Sequence, residues 1–213
     1  MSAPPVKSEY GPTLGQLLAP GWRARSRAAR RGLVAAAVGG VALVAGVALS
    51  LLDASYSHGG VTPFSFHYRG LYRTAPAPGE LVRLVRYRGG RLQDLFAVSP
   101  LKLAPYGGSQ TAELPLYAAG RIDELSRRYP GFDLVGEGAV KVNTVPGYSI
   151  YFWLTRDGRT LYGRDTLLLP DQLSPREGVI ITAISEPRGM VTSATLVGAY
   201  DVLQTPLHSF TLR

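Results

Sequence analysis

The side chains able to do chemistry in this sequence are few and widely spaced. Cysteine is absent, which excludes a thiolate nucleophile, a zinc–thiolate site and a lipid-acylated cysteine. The three histidines, His58, His67 and His208, show no H-E-x-x-H spacing and no close carboxylate, so no metal site is expected. His58 reads as linker, and His67, within "FSFHY", as the solvent face of a strand. "VGEGAV", Val135 to Val140, has a Gly-x-Gly but lacks the third glycine of a dinucleotide loop, and there is no Walker lysine. No serine stands in Gly-x-Ser-x-Gly, so the hydrolase elbow is missing. No cofactor is expected.

Two stretches hold candidate surfaces. "PGYSIYFWL" crowds Tyr148, Tyr151, Phe152 and Trp153 into six residues. As a strand it turns Tyr148, Ile150 and Phe152 to one face and Tyr151 and Trp153 to the other. One set fills a core; the other either lies under a helix or forms a binding patch. "YGRDTLLLPDQLSPREG" sets Arg164, Asp165, Asp171, Arg176 and Glu177 around a proline-bearing loop. Such charges form a salt-bridged rim unless a cleft perturbs them into an acid and a base. Tyr151, Trp153, Arg164 and Asp165 are the expected partner surface. A hydrolase would have to be assembled from Asp165, Asp171 or His208.

The elements that must position these residues span 63–213, one domain of ordinary size. Extended segments are expected at Phe64–Tyr68, Leu71–Thr74, "ELVRLVRYR" and "LQDLFAVSPLKLAPY". A helix is predicted from Leu114 to Tyr129, with Leu116, Ala119, Ile122, Leu125 and Tyr129 recurring at three- and four-residue steps. Arg127 and Arg128 suit its C-terminus, and Pro130-Gly131 stops it. "FDLVGEGAVKVNTV", "GYSIYFWLT" and "TLYGRDTLLL" then read as strands, the last two joined by a hairpin at Asp157-Gly158. "GVIITAIS" is apolar enough to be a central strand. "SATLVGAYDVL" is predicted as a second short helix and "PLHSFTL" as a closing strand. The fold class is therefore α+β: a mostly antiparallel sheet with one main helix and a second short helix packed on it.

Ahead of this domain lies a different kind of segment. From Leu33 to Leu52 there are five Leu, five Val, six Ala, three Gly and Ser50, with no charge. As a helix this run is about 30 Å long, the thickness of a bilayer's hydrocarbon core. Residues 32–52 are predicted to be a transmembrane helix, with Leu33, Val38, Leu43, Val47 and Leu52 in contact with lipid. Ala48-Leu49-Ser50 would suit signal cleavage, but both the basic front and the apolar run are long for a signal. The basic tail, 1–31, carries Arg23, Arg25, Arg27, Arg30 and Arg31 just before the span, which holds the N-terminus in the cytoplasm. Residues 53–62 then read as a juxtamembrane linker and 63–213 as extracytoplasmic.

That tail also explains most of the net charge of +8, so the basic balance is topogenic and no nucleic-acid partner is expected. Arginine outnumbers lysine twenty to three, a bias typical of a GC-rich bacterial genome. Ala36, Gly39, Gly40, Ala42 and Gly46 space small residues four apart along the span. They offer a face for a second membrane helix or a second copy of the chain; composition alone also produces such spacing.

The order sheet, helix, hairpin, apolar strand, short helix, together with "YGRDTLLLPDQLSPREGVIITAIS" and "TPLHSFTL", resembles the photosystem-PsbP/Mog1/LpqN superfamily found in actinobacterial envelope proteins. The resemblance implies an α/β sandwich that binds or assists partners and has no shared catalytic apparatus. No residue roles transfer with it. The expectation is a single-pass plasma-membrane protein whose outer domain is a non-enzymatic binding or accessory subunit of an envelope assembly or transport complex. Its partners are the lipid bilayer and another membrane protein. The alternatives are a tethered hydrolase and a lipid-binding or sensory ectodomain.

Overall fold

Alternating apolar and polar residues, punctuated by glycine turns, generate ten strands among the described residues. The computed structural model describes residues 36, 39, 40, 53–104, 110–170 and 177–212. It divides into two units, Met1–Ser50 and Leu51–Arg213. In the first, Ala36, Gly39 and Gly40 are helical and exposed. The predicted lipid-facing residues Leu33, Val38, Leu43, Val47 and Leu52, the arginines 23–31, and Ala42 and Gly46 lie outside the described residues. Among the described residues no helix is long and apolar enough to cross a membrane.

The second unit begins with β1, Ala54–His58, and β2, Phe64–Tyr68, followed by β3, Tyr72–Thr74, β4, Val82–Arg88, and β5, Arg91–Lys102. The main helix α1, Gln110–Arg128, leads to β6, Asp133–Val142, β7, Val145–Arg156, β8, Arg159–Leu168, and β9, Glu177–Ser185. A 3-10 turn at Ala194–Leu196, the helix α2, Gln204–His208, and β10, Thr211–Leu212, complete the chain. Seven strands form one sheet in the order β3-β4-β5-β9-β8-β7-β6. Every pairing in it is antiparallel. β9 sits at its centre and is buried along nearly its whole length, as its apolar run implies.

Two cores sandwich this sheet. On one face α1 packs Leu114, Ala118 and Leu125 against Ile150, Phe152, Leu154, Leu161 and Leu167. On the other, the small sheet β1-β2-β10 and the segment 194–210 bring Phe64, Phe66, Leu203, Leu207 and Phe210 onto Phe96, Val98, Leu168 and Ile181. Each such fully buried side chain contributes about 1.5–3 kcal/mol. Phe64, Phe66 and Phe210 stack at centroid distances of 5.3 to 6.3 Å, which ties the C-terminal segment to β2. The turn predicted at Asp157-Gly158 joins β7 to β8, and both residues have positive φ, 52° and 71°. That is the backbone a two-residue hairpin turn with right-handed twist requires.

Three expectations need correction. Residues 53–62 are not all linker: β1 lies within them, paired along its length with β2. Tyr56 of β1 stacks near Phe66, and His58 on Phe64 at 4.9 Å. The predicted helix over "SATLVGAYDVL" is a single 3-10 turn, and the predicted closing strand begins as α2. Pro206 is tolerated there because it falls in the first turn, where no N–H partner is lost. Finally, α1 starts four residues before Leu114, and its inward stripe is Leu114, Tyr117, Ala118, Arg121, Ile122 and Leu125, with Tyr129 just beyond its end in the same core. Leu116 is 69% exposed and Ala119 also faces outward.

Candidate functional site

The strand β7 alternates as its sequence predicts. Ile150 and Phe152, with Tyr148 beside them, face α1, so Tyr151 and Trp153 point to the opposite face and are only half-buried. Glycine in the two flanking strands makes room on both faces, in β8 for Phe152 and in β6 beside Tyr151. Gly163 of β8 pairs with Phe152, and a Cβ there would lie 2.2 Å from the ring. On the edge strand β6, Gly136 pairs with Tyr151 and Gly138 with Ser149. A Cβ at either glycine would meet nothing within 4 Å, so the β6 edge of the sheet beside Tyr151 and Ser149 is a shallow trough.

Arg164 of β8 stands in this trough beside Tyr151. Its guanidinium lies over the Tyr151 ring at 5.5 Å, and Nε donates to Ser149 Oγ at 3.3 Å. Ser149 is fully buried and shares a 2.9 Å hydrogen bond with the buried Thr166 hydroxyl. The guanidinium is therefore held at its Nε and beside the Tyr151 ring. Beside it opens a cavity of about 300 Å³, lined by Lys141, Val142, Asn143, Arg164, Leu207 and His208. Its far wall comes from α2, and Asn143 Nδ2 donates to the Phe210 carbonyl, joining the β6–β7 turn to that wall.

Asp165, the neighbour of Arg164, is turned the other way. It is fully buried under α1, where Arg121 Nε donates to its Oδ2 at 2.7 Å. Arg121 also donates to Glu124 at 2.7 Å. Burial alone would lower the Arg121 pKa, but Asp165 and Glu124 outweigh it and raise it above the ordinary value. Asp165 is thus a structural ion and not part of an exposed partner surface, which corrects the expectation for it. Nor can it act with His208, since the two lie on opposite faces of the sheet. Asp171 and Arg176 lie outside the described residues. His67 is exposed on β2, as expected.

A second buried charge escaped sequence reasoning. Asp94 of β5 accepts from Arg86 at 2.7 Å, from Arg188 at 2.6 Å and from Ser185 at 2.8 Å. Its partners lie 8 to 94 residues away, a separation no local pattern reveals. This network pins the 188–191 loop to the sheet. Among the described residues no cluster of His, Asp or Glu has the arrangement of a metal site.

These layers define an α+β sandwich with an open face at its β6 edge, running onto β7 and β8 up to the 3-10 turn that packs on them. The fold is similar to that of two solved structures. One is LpqN, involved in cell envelope biogenesis of Mycobacterium tuberculosis, with a TM-score of 0.51 and 10% identity over 75% of this chain and 91% of that one. The other is the cyanobacterial PsbP of Synechocystis, with a TM-score of 0.52 and 12% identity over 76% and 92%. At such identities the likeness is one of fold. No family model matches the sequence, and no curated protein matches it.

Proposed function

We propose that this chain is a single-pass membrane-anchored accessory subunit without catalytic activity. Residues 32–52 span the plasma membrane, the arginine-rich tail stays in the cytoplasm, and the sandwich domain binds its partner outside. The observation that carries this reading is the division of roles on β7 and β8. Tyr151, Trp153 and Arg164 share the open face, while the carboxylate that could have made that face catalytic, Asp165, is consumed by Arg121 on the other side. An aromatic pair beside an arginine is the composition of a binding surface. LpqN, which has the same fold, is involved in envelope biogenesis, and this supports a place in an envelope assembly or transport complex.

The test is capture from solubilised membranes with the full chain as bait, comparing wild type with the Tyr151→Ala/Trp153→Ala double variant. A membrane protein retained by wild type and lost from the variant is the expected result. Equal recovery by both would remove the open face from the proposal. A reporter fused after Arg213 tests the topology, and activity of that reporter in the cytoplasm would overturn it.

A further inference from the structure

The described residues include six half-buried arginines: Arg83, Arg86, Arg121, Arg159, Arg164 and Arg188. Five of them form carboxylate ion pairs of 2.6 to 2.7 Å, with Glu80, Asp94, Asp165, Glu186 and again Asp94. Arg164 is the exception. Its contacts are a hydroxyl and a ring. A partly desolvated guanidinium without an anion is costly, and elsewhere this fold supplies one.

What Arg164 faces is a cavity whose only permanently charged lining residues, Arg164 and Lys141, are cations, with Val142 and Leu207 as its apolar part. Lys141 and His208 share the lining with it, Asn143 adds an amide, and no acidic residue is present. Two permanent cations and a histidine match the roughly two negative charges of a phosphoryl group better than the single charge of a carboxylate. The supports of Arg164 suit the same task. With Nε on Ser149 Oγ and Cζ over the Tyr151 ring, Nη1 and Nη2 are left for the paired N–H···O contacts that arginine makes with phosphate. The volume is that of a small ligand or one headgroup.

The geometry points to a phosphoryl-binding subsite built on Arg164, with Lys141, His208 and Asn143 as its walls. The group enters as a free phosphate ester or as the headgroup of a phospholipid. This assignment rests on the reading of the open face as a binding surface and names the chemistry at one end of it.

The experiment uses the full chain in discs of zwitterionic lipid, so that the tail arginines give no anionic-lipid background. Inorganic phosphate and glycerol 1-phosphate are titrated calorimetrically. Saturable binding is expected, weakened about tenfold or more in Arg164→Gln and in part by Arg164→Lys, which keeps the charge but loses the fork. His208→Gln, at an exposed position, is a second variant that weakens binding without a core change. Equal affinity for both probes indicates free phosphate, and preference for glycerol 1-phosphate indicates a headgroup; either supports the site. No saturable binding of either probe, or binding unchanged in folded Arg164→Gln and His208→Gln, overturns it. Partner capture measured on the same preparations separates the two proposals. Capture without phosphate binding removes the subsite alone, and phosphate binding without capture removes the accessory role alone.

Discussion

Arg121 on α1 and Asp165 on β8 meet at 2.7 Å between the helix and the sheet, with the carboxylate fully buried and the arginine side chain only 14% exposed. The pair fixes the rotation of α1 over the sheet. A stripe read from apolar residues alone places Leu116 inward, whereas Arg121 must reach Asp165 and turns Leu114 and Ala118 into the core. Removing one partner leaves an uncompensated buried charge. Arg121→Met and Asp165→Ala should each cost about 3–5 kcal/mol, read from urea unfolding. The double variant Arg121→Met/Asp165→Leu should recover much of that loss, since a well-packed apolar pair is often neutral. Loss in the double variant equal to the sum of the singles would show that the pair acts independently.

Gly163 tests the close approach of β8 to the Phe152 ring. Alanine there places a methyl carbon 2.2 Å from the ring, and both residues are fully enclosed, so the ring must leave its rotamer. Gly163→Ala should destabilise by about 1–3 kcal/mol. Gly136→Ala, which meets nothing within 4 Å on the edge strand, should change stability by less than about 0.5 kcal/mol. The comparison of urea midpoints separates a steric cause from a general intolerance of glycine replacement.

Asp201 gives the fold a pH dependence of its own. Burial raises its pKa above the ordinary 3.8, against the N–H groups of Leu203 and Gly198, which lower it; Asp94 raises it further and Arg188 opposes that. The folded state therefore holds this proton to a higher pH than the unfolded chain does. Stability from this group is complete below the unfolded value and is lost as pH rises through the folded one. Asp201→Asn should remove that loss, so the variant gains on wild type as pH rises from the ordinary value of 3.8 through the higher folded one. Parallel stability curves for the two proteins from acid to neutral pH would refute the assignment.

How much of this was legible in the sequence depends on how local the cause is. The Asp157-Gly158 turn, the central strand around Ile180 and the two-sided pattern of Tyr148 to Trp153 each follow from neighbours a few residues apart. The Arg121–Asp165 pair joins residues 44 apart and the Arg188–Asp94 pair residues 94 apart. Charge patterning along one element cannot show either. The same limit explains the C-terminal end. "SATLVGAYDVL" has helical composition, yet it forms only a 3-10 turn, packed on β7 and β8, because Val197 and Leu203 must both reach the core. Arg164 was legible as a surface residue, and its distinction from Asp165 was not. Adjacent positions on a strand face opposite ways, but only the structure says which face holds the helix.

Asn143 connects the fold to the proposed site. It sits in the β6–β7 turn with φ of 53°, a region that asparagine tolerates better than alanine. Its side-chain amide donates to the Phe210 carbonyl beyond α2. Two replacements separate these roles. Asn143→Gly keeps the backbone conformation and loses only the hydrogen bond, about 0.5–1.5 kcal/mol. Asn143→Ala loses the bond and also strains the turn, adding about 1 kcal/mol. Both release the turn from the segment that carries His208, so both should weaken phosphate-ester binding to a similar degree while differing in unfolding midpoint. Affinity that instead tracks stability from one variant to the other would mean that Asn143 serves the turn and not the cavity wall.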